Sequence, residues 1–199
     1  DEGETSGVNL PANAEYTLVK HLGNKVHYAY QDKTVKVVKE YVVGNSGSFI
    51  KYKLRVKNLT KVELSQSLKL SLYNYHDPML AKPAMTNPYP RIPTVTCHDG
   101  VEIQRRSRDS IKGTDSSCSA ASCGMGEGEF ISASGTVWWI GSGDRYFITS
   151  VVPMDSKVGK KCELTLVEGM ENVLQSSLYY PKFRLPAGKE KTWDFTIYL

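Results

Sequence analysis

Ile50-Lys51-Tyr52-Lys53-Leu54-Arg55-Val56-Lys57 alternates strictly between apolar and cationic residues. Successive side chains of a β-strand point to opposite faces, so this octapeptide reads as a strand with Ile50, Tyr52, Leu54 and Val56 in a core and four cations in water. A helix would scatter the same residues around its circumference. The stretch therefore decides for a sheet with one buried face.

The same period of two recurs on both sides. Leu68, Leu70 and Leu72 alternate with Lys69 and Ser71, and Trp193, Phe195, Ile197 and Leu199 alternate with Asp194, Thr196 and Tyr198. Less regular strands are predicted over 16–22, 25–30, 34–43, 101–106, 135–140, 146–152, 162–167 and 174–185. Gly23-Asn24 and residues 44–47 carry turn chemistry, Gly141, Gly143 and Asp144 are expected to turn one strand into the next, and Gly188 leads into the last strand. No ten-residue stretch shows a 3.6-residue apolar stripe with caps; a single short helix has room at 156–160 or 79–85. Residues 76–93 hold five prolines, which cannot donate to a ladder, and 109–129 is rich in Ser and Gly. Both read as long loops joining strands of one all-β domain spanning 1–199, a sandwich or a barrel.

Composition narrows the function. The 199 residues are 40% hydrophobic and 23% charged, ordinary for a globular domain. The net charge of +4 is a mild surplus spread along strands, without the clustered cations and interleaved aromatics of a nucleic-acid site; attraction to anionic headgroups fits the same surplus. The longest apolar run, 136–140, falls far short of the roughly 20 residues of a membrane-spanning helix. The terminal strand, running to Leu199, is expected to lie inside a longer protein.

Cys97, Cys118, Cys123 and Cys162 make an even count, as suits an oxidising compartment. Their spacing is poor for zinc, and His98 has no histidine partner at a usual distance. Disulfides are expected ahead of free structural thiols, and these ahead of zinc, with all three pairings open; the Ser/Gly-rich setting of Cys118 and Cys123 favours at least one bridge that includes one of them.

Tests for chemistry return structural readings. His21 and His27 fall in strands, and His76-Asp77-Pro78 is a turn signal rather than an oriented base. Gly141-Ser142-Gly143 lacks the frame of a nucleophile elbow, and the glycine run 124–128 lacks the lysine and the helix of a phosphate loop. Asn58-Leu59-Thr60 matches a glycosylation sequon. Trp138, Trp139, Tyr146 and Phe147 form the densest aromatic group, with one of the two tryptophans expected inward and the other outward. No catalytic residue, cofactor site or metal site is expected.

At this aromatic group the sequence resembles a known family. Trp138-Trp139-Ile140, then Asp144-Arg145-Tyr146-Phe147 and a strand ending at Pro153, resembles the periplasmic (P1) domain of bacterial YidC-type membrane-protein insertases. Lys39-Glu40-Tyr41 with the strand ending at Asn58, and Leu185-Pro186-Ala187-Gly188 before the last strand, resemble two further stretches of that family, in its order. The resemblance implies a galactose-mutarotase-like β-supersandwich of two large twisted antiparallel sheets on the periplasmic face of the inner membrane. It implies that Trp138, Trp139, Asp144, Tyr146, Phe147 and Pro153 are structural signature residues. It also implies a non-catalytic accessory role, with SecDF-type translocon subunits and nascent membrane proteins as partners, and tethering through segments outside this chain. The cysteine-bearing stretch 109–129 departs from the family pattern. A carbohydrate-binding or mutarotase-like enzyme, with His27, His76 and a glutamate converging in a cleft, is the alternative.

Overall fold

The computed structural model describes residues 10, 14–45, 47–80, 91–113, 128–132, 135–155 and 159–199. In chain order the strands are β1 (Thr17–Leu22), β2 (Lys25–Gln31), β3 (Val35–Val43), β4 (Phe49–Asn58), β5 (Leu64–Gln66), β6 (Lys69–Tyr75), β7 (Thr94–His98) and β8 (Ile103–Ser107). The short helix α1 (Arg108–Lys112) follows, and then β9 (Phe130–Ile131), β10 (Trp139–Gly143), β11 (Ile148–Pro153), β12 (Lys161–Val167), β13 (Met170–Tyr179), β14 (Phe183–Leu185) and β15 (Glu190–Tyr198). The residues group into two compact units, and each unit draws on more than one stretch of the chain.

The first unit is built on the antiparallel order β1-β2-β3-β4-β15, with β5 and β14 paired beside it. The alternation of the deciding octapeptide holds: Tyr52 and Leu54 are buried while Lys51 and Lys57 are exposed. Tyr41, Tyr52 and Phe195 stand in register on neighbouring strands and stack at 4.9 and 5.6 Å, a cross-strand ladder on the apolar face. Burial, then the neighbouring Tyr41 and Tyr16 phenols, push the Tyr52 hydroxyl well above its ordinary pKa. Gly23 supplies the positive φ of the β1–β2 hairpin (57°), and Asn24 keeps a negative one.

The sequon is occupied by the fold. Asn58 is fully buried, and its amide donates to Val62 O at 2.8 Å and Leu185 O at 2.9 Å. Its carbonyl accepts from Thr60 N and Thr60 Oγ1, both at 2.8 Å. No atom of that side chain is left for a glycan.

The second unit holds two sheets, with strand orders β11-β10-β7-β8 and β6-β13-β12-β9. Val95, Cys97, Ile140, Leu164, Leu174 and Leu178 fill the space between, none more than marginally exposed. Cys97 of β7 and Cys162 of β12 form a disulfide across this core. Cys118 and Cys123, and with them the bridge expected there, lie outside the described residues. Ser176 Oγ also crosses, donating to Thr96 O at 2.9 Å.

Four expectations need correction. Gly141 and Gly143 lie within β10 rather than in a turn, which falls instead at residues 144–147; β10 accordingly runs later than 135–140, and Gly135 makes only an isolated bridge to Lys160. The stretch 174–185 is two strands, because Pro181 cannot continue the ladder of β13. Thr94–His98, not singled out above, is a central and almost wholly buried strand. The short helix is α1, closed by a Ser107–Ser110 capping box and by Gly113 in the left-handed region, and five residues are too few to show a stripe. Residues 81–85 and 156–158 of the two expected helix sites lie outside the described residues.

Candidate functional site: an aromatic cleft in the second unit

A cleft of about 400 Å³ opens between the last residues of β6, the end of β10 and the turn at residues 144–147. Two hydrogen bonds set the distance between its walls. Asn74 Nδ2 of β6 donates to Gly143 O at 2.7 Å, and Ser142 Oγ of β10 donates to Tyr73 O at 3.2 Å. Tyr73 and Tyr75, two residues apart on β6, share a face and are each 60% exposed. Phe147 on the opposite wall is 73% exposed. Arg91 adds a charge, with its guanidinium 5.9 Å from the centre of the Tyr146 ring.

The wall is shaped by one carboxylate. Asp144 Oδ1 accepts from Tyr146 N at 2.7 Å and Phe147 N at 3.0 Å, while Asp144 N donates to Phe147 O at 2.8 Å. These two amides, reinforced by the charge of Arg91, hold the Asp144 carboxyl below its usual pKa. The turn pushes Tyr146 and Phe147 outward, which is why β11 starts only at Ile148. Gly143 beneath it has no space for a side chain: a Cβ there would lie 2.2 Å from Phe147 O.

The same turn borders a second cleft of about 300 Å³ on the side of Trp139, Arg105 and Ile148. Arg105 Nε donates to Thr94 Oγ1 at 3.2 Å in its wall. Thr96 Oγ1 is buried there with no hydrogen-bond partner among the described residues. Trp138, 55% exposed, lies flat on the His98 ring at 4.6 Å, and Trp139 is half-buried with its edge toward the same ring. Pro153 is buried at the end of β11.

The cleft thus draws on Asp144 and Phe147, both singled out from sequence, and on Tyr73, Asn74, Ser142 and Arg91, which were not; Tyr146 lines the second cleft instead. The aromatic alternation of β6 beyond Leu72 was a legible signal; the approach of β6 to β10 was not.

The histidines lie elsewhere. His27 belongs to the first unit, where Glu40 of the neighbouring strand is its acid: Nε2 sits 3.2 Å from Oε2, close enough for attraction but out of hydrogen-bond alignment. Burial works against the Glu40 carboxylate, yet the hydrogen bond from Lys25 and the charges of Lys25, His27 and Arg55 keep its pKa below the usual value. His76 belongs to the second unit and is 5% exposed, with Nδ1 unpaired among the described residues. Burial lowers its pKa, and the carboxylates of Asp109 and Asp77 only partly oppose that. No group of three or more His, Cys, Asp or Glu with metal-binding geometry occurs among the described residues.

The model of the YidC periplasmic domain matches residues 5–199. The chain belongs to the YidC periplasmic domain family. Membership makes the domain periplasmic. No curated protein matches the sequence.

Solved structures agree on the fold. A galactose mutarotase-like protein from Lactobacillus casei is similar with a TM-score of 0.59 at 10% identity, covering 92% of this chain and 72% of that one. A galactose mutarotase related enzyme from Lactobacillus acidophilus gives 0.56 at 10% identity, covering 94% and 71%. An α-galactosidase from Geobacillus stearothermophilus, solved with stachyose, gives 0.51 at 12% identity, covering 96% of this chain and 26% of that one. At such identity the likeness shows the fold alone: the all-β, galactose-mutarotase-like supersandwich expected from the sequence.

Proposed function

We propose that this member of the YidC periplasmic domain family is a non-catalytic accessory domain of a membrane-protein insertase. In this reading it is tethered to the inner membrane through segments outside this chain, and its aromatic cleft receives an apolar segment of a protein partner. The carrying observation is the contrast within the cleft. Its rings are exposed, while its carboxylates are engaged: Asp144 holds the turn and Asp77 Oδ1 accepts from Met79 N at 2.8 Å. A carboxylate bound to backbone amides with a depressed pKa is a poor proton donor at neutral pH. Exposed rings beside carboxylates engaged with backbone amides suit binding, and aromatic residues dominate the energetics of protein interfaces. SecDF-type translocon subunits and nascent membrane proteins are the partners this reading names.

A photo-crosslinking amino acid at Phe147 or Tyr73, with one at Lys61 of the first unit as control, tests it in membranes containing the translocon. Adducts with a SecDF-type subunit or a nascent chain from the cleft positions alone are expected. Adducts from neither cleft position, or equally from Lys61, would overturn it. The carbohydrate reading draws on the same exposed rings beside Arg91 and Asp77, since rings can stack on sugars. Calorimetric titration with simple hexoses separates the two: micromolar binding or catalysed anomer exchange would favour the sugar.

A further inference from the structure

We infer that the solvent face of the first unit's sheet is an electrostatic docking surface for an anionic lipid bilayer. The inference goes beyond the docking role of the cleft and rests on charges in the other unit. Register places the residues. His27, Glu40, Lys53 and Asp194 are successive partners across β2, β3, β4 and β15, so every second residue from this row lies on one face. That face carries seven Lys and Arg side chains from β1 to β4 against three carboxylates, Glu40, Asp194 and Glu190. Its surplus equals the +4 of the entire chain, so the rest of the molecule is neutral in sum.

Part of that charge is spent within the sheet. Lys25 and Arg55 lie 2.7 and 3.4 Å from Glu40, and Lys53 lies 3.4 Å from Asp194. Lys20, Lys36, Lys51 and Lys57 have no ion-pair partner among the described residues. Lys36 and Lys57 are direct register partners, and like charges opposite one another destabilise a sheet. An external anion placed over them turns that repulsion into attraction.

The geometry selects the kind of anion. The four lysines spread over strands β1 to β4 and over six residues of β4, a footprint of roughly 14 by 20 Å at sheet spacings. Phe49 and Tyr198, the Phe, Tyr or Trp residues on this face, are register partners at its end beyond Lys51, 6.4 Å apart, so no rings are interleaved among the lysines as in the stacking platform of a nucleic-acid binder. Separated flexible ammonium groups over a broad sheet suit a plane of mobile phosphates, and their aliphatic stems can lie along Val38 and Val42 between them.

Flotation of the 199-residue chain with vesicles of phosphatidylglycerol and phosphatidylcholine in equal parts tests this, against phosphatidylcholine alone. Binding to the anionic vesicles only, weakening as salt rises, is expected. Changing Lys20, Lys36, Lys51 and Lys57 together to Gln should reduce partitioning by about fivefold per lysine, roughly a hundredfold or more in all. The matched change of Lys61, Lys161, Lys182 and Lys189, exposed lysines outside the face, should reduce it far less. Equal losses in both variants would mean net charge alone and overturn the inference. So would absence of binding to anionic vesicles, or binding to polyglutamate without binding to vesicles, the signature of an acidic protein partner. Lysine acylation of the unaltered chain on vesicles is independent of variant folding: protection of the four lysines is expected, and their unchanged labelling would refute it. Substitutions at Tyr73 or Phe147 should leave vesicle binding intact, so failure here and failure of the cleft reading are separable.

Discussion

Cys97 and Cys162 are both fully buried, and the bond between them ties β7 of one sheet to β12 of the other inside the second unit. The link closes a loop of 65 residues. In the chain-entropy description, a loop of that length removes enough freedom from the unfolded state to contribute about 4 kcal/mol. The Cys97→Ala, Cys162→Ala double variant should lose most of this in urea unfolding without reductant. A loss below about 1 kcal/mol would show that the pairing adds little to packing.

Asn58 uses its full hydrogen-bonding capacity, two donors and two accepted bonds, at a fully buried site. Asn58→Asp should cost about 3 kcal/mol or more in chemical denaturation, because carboxylate lone pairs would face two carbonyl oxygens. Asn58→Ala should cost about 2 kcal/mol. Expression in a glycosylating host should leave the mass of the folded domain unchanged at this sequon.

Gly143→Ala should destabilise the second unit by about 1–3 kcal/mol, since the added methyl meets backbone at Phe147 and Ile148 and the turn must move. The same substitution at Gly159, where a Cβ meets nothing within 4 Å, should be close to neutral. Thermal melts of the two variants decide whether Gly143 serves close approach.

Asp32 Oδ1 accepts from Val35 N at 2.8 Å, Thr34 N at 2.6 Å and Thr34 Oγ1 at 2.7 Å at the start of β3. Led by the Val35 amide, these bonds depress its pKa from 3.8 to about 2. A pKa lower in the folded state gives stability that is complete above about pH 4 and is lost as pH falls toward 2. Solvent screening limits the amount to about 1 kcal/mol. Asp32→Asn should flatten that part of the stability–pH curve; an unchanged slope between pH 4 and 2 would exclude Asp32 as its source.

Much of the first unit was legible because its strands are amphipathic on their own. In β4 and β15 apolar residues alternate with charged ones, so sequence reports which face is buried. The second unit was harder. In β7 four of five residues are buried, Thr94 and Thr96 among them, and a strand covered on both faces does not alternate. In β10 the pattern Gly-Ser-Gly imitates a turn because those residues allow close packing against Thr96 and Phe147. The five prolines of 76–93 and the glycine run of 124–128 were read as loops; residues 81–90 and 114–127 lie outside the described residues.

By itself the sequence determined an all-β chain, the identity of its amphipathic strands, and the family signature around Asp144, Tyr146 and Phe147. Those properties are local, written in alternation and in the spacing of a few residues along one strand or turn. Tertiary structure alone decided that Cys97 meets Cys162, that Asn74 and Ser142 fasten β6 to β10 to open a cleft, and that four lysines from three strands share one face. Each of these depends on contacts between residues far apart in the chain, and their distance in space follows from strand order and register.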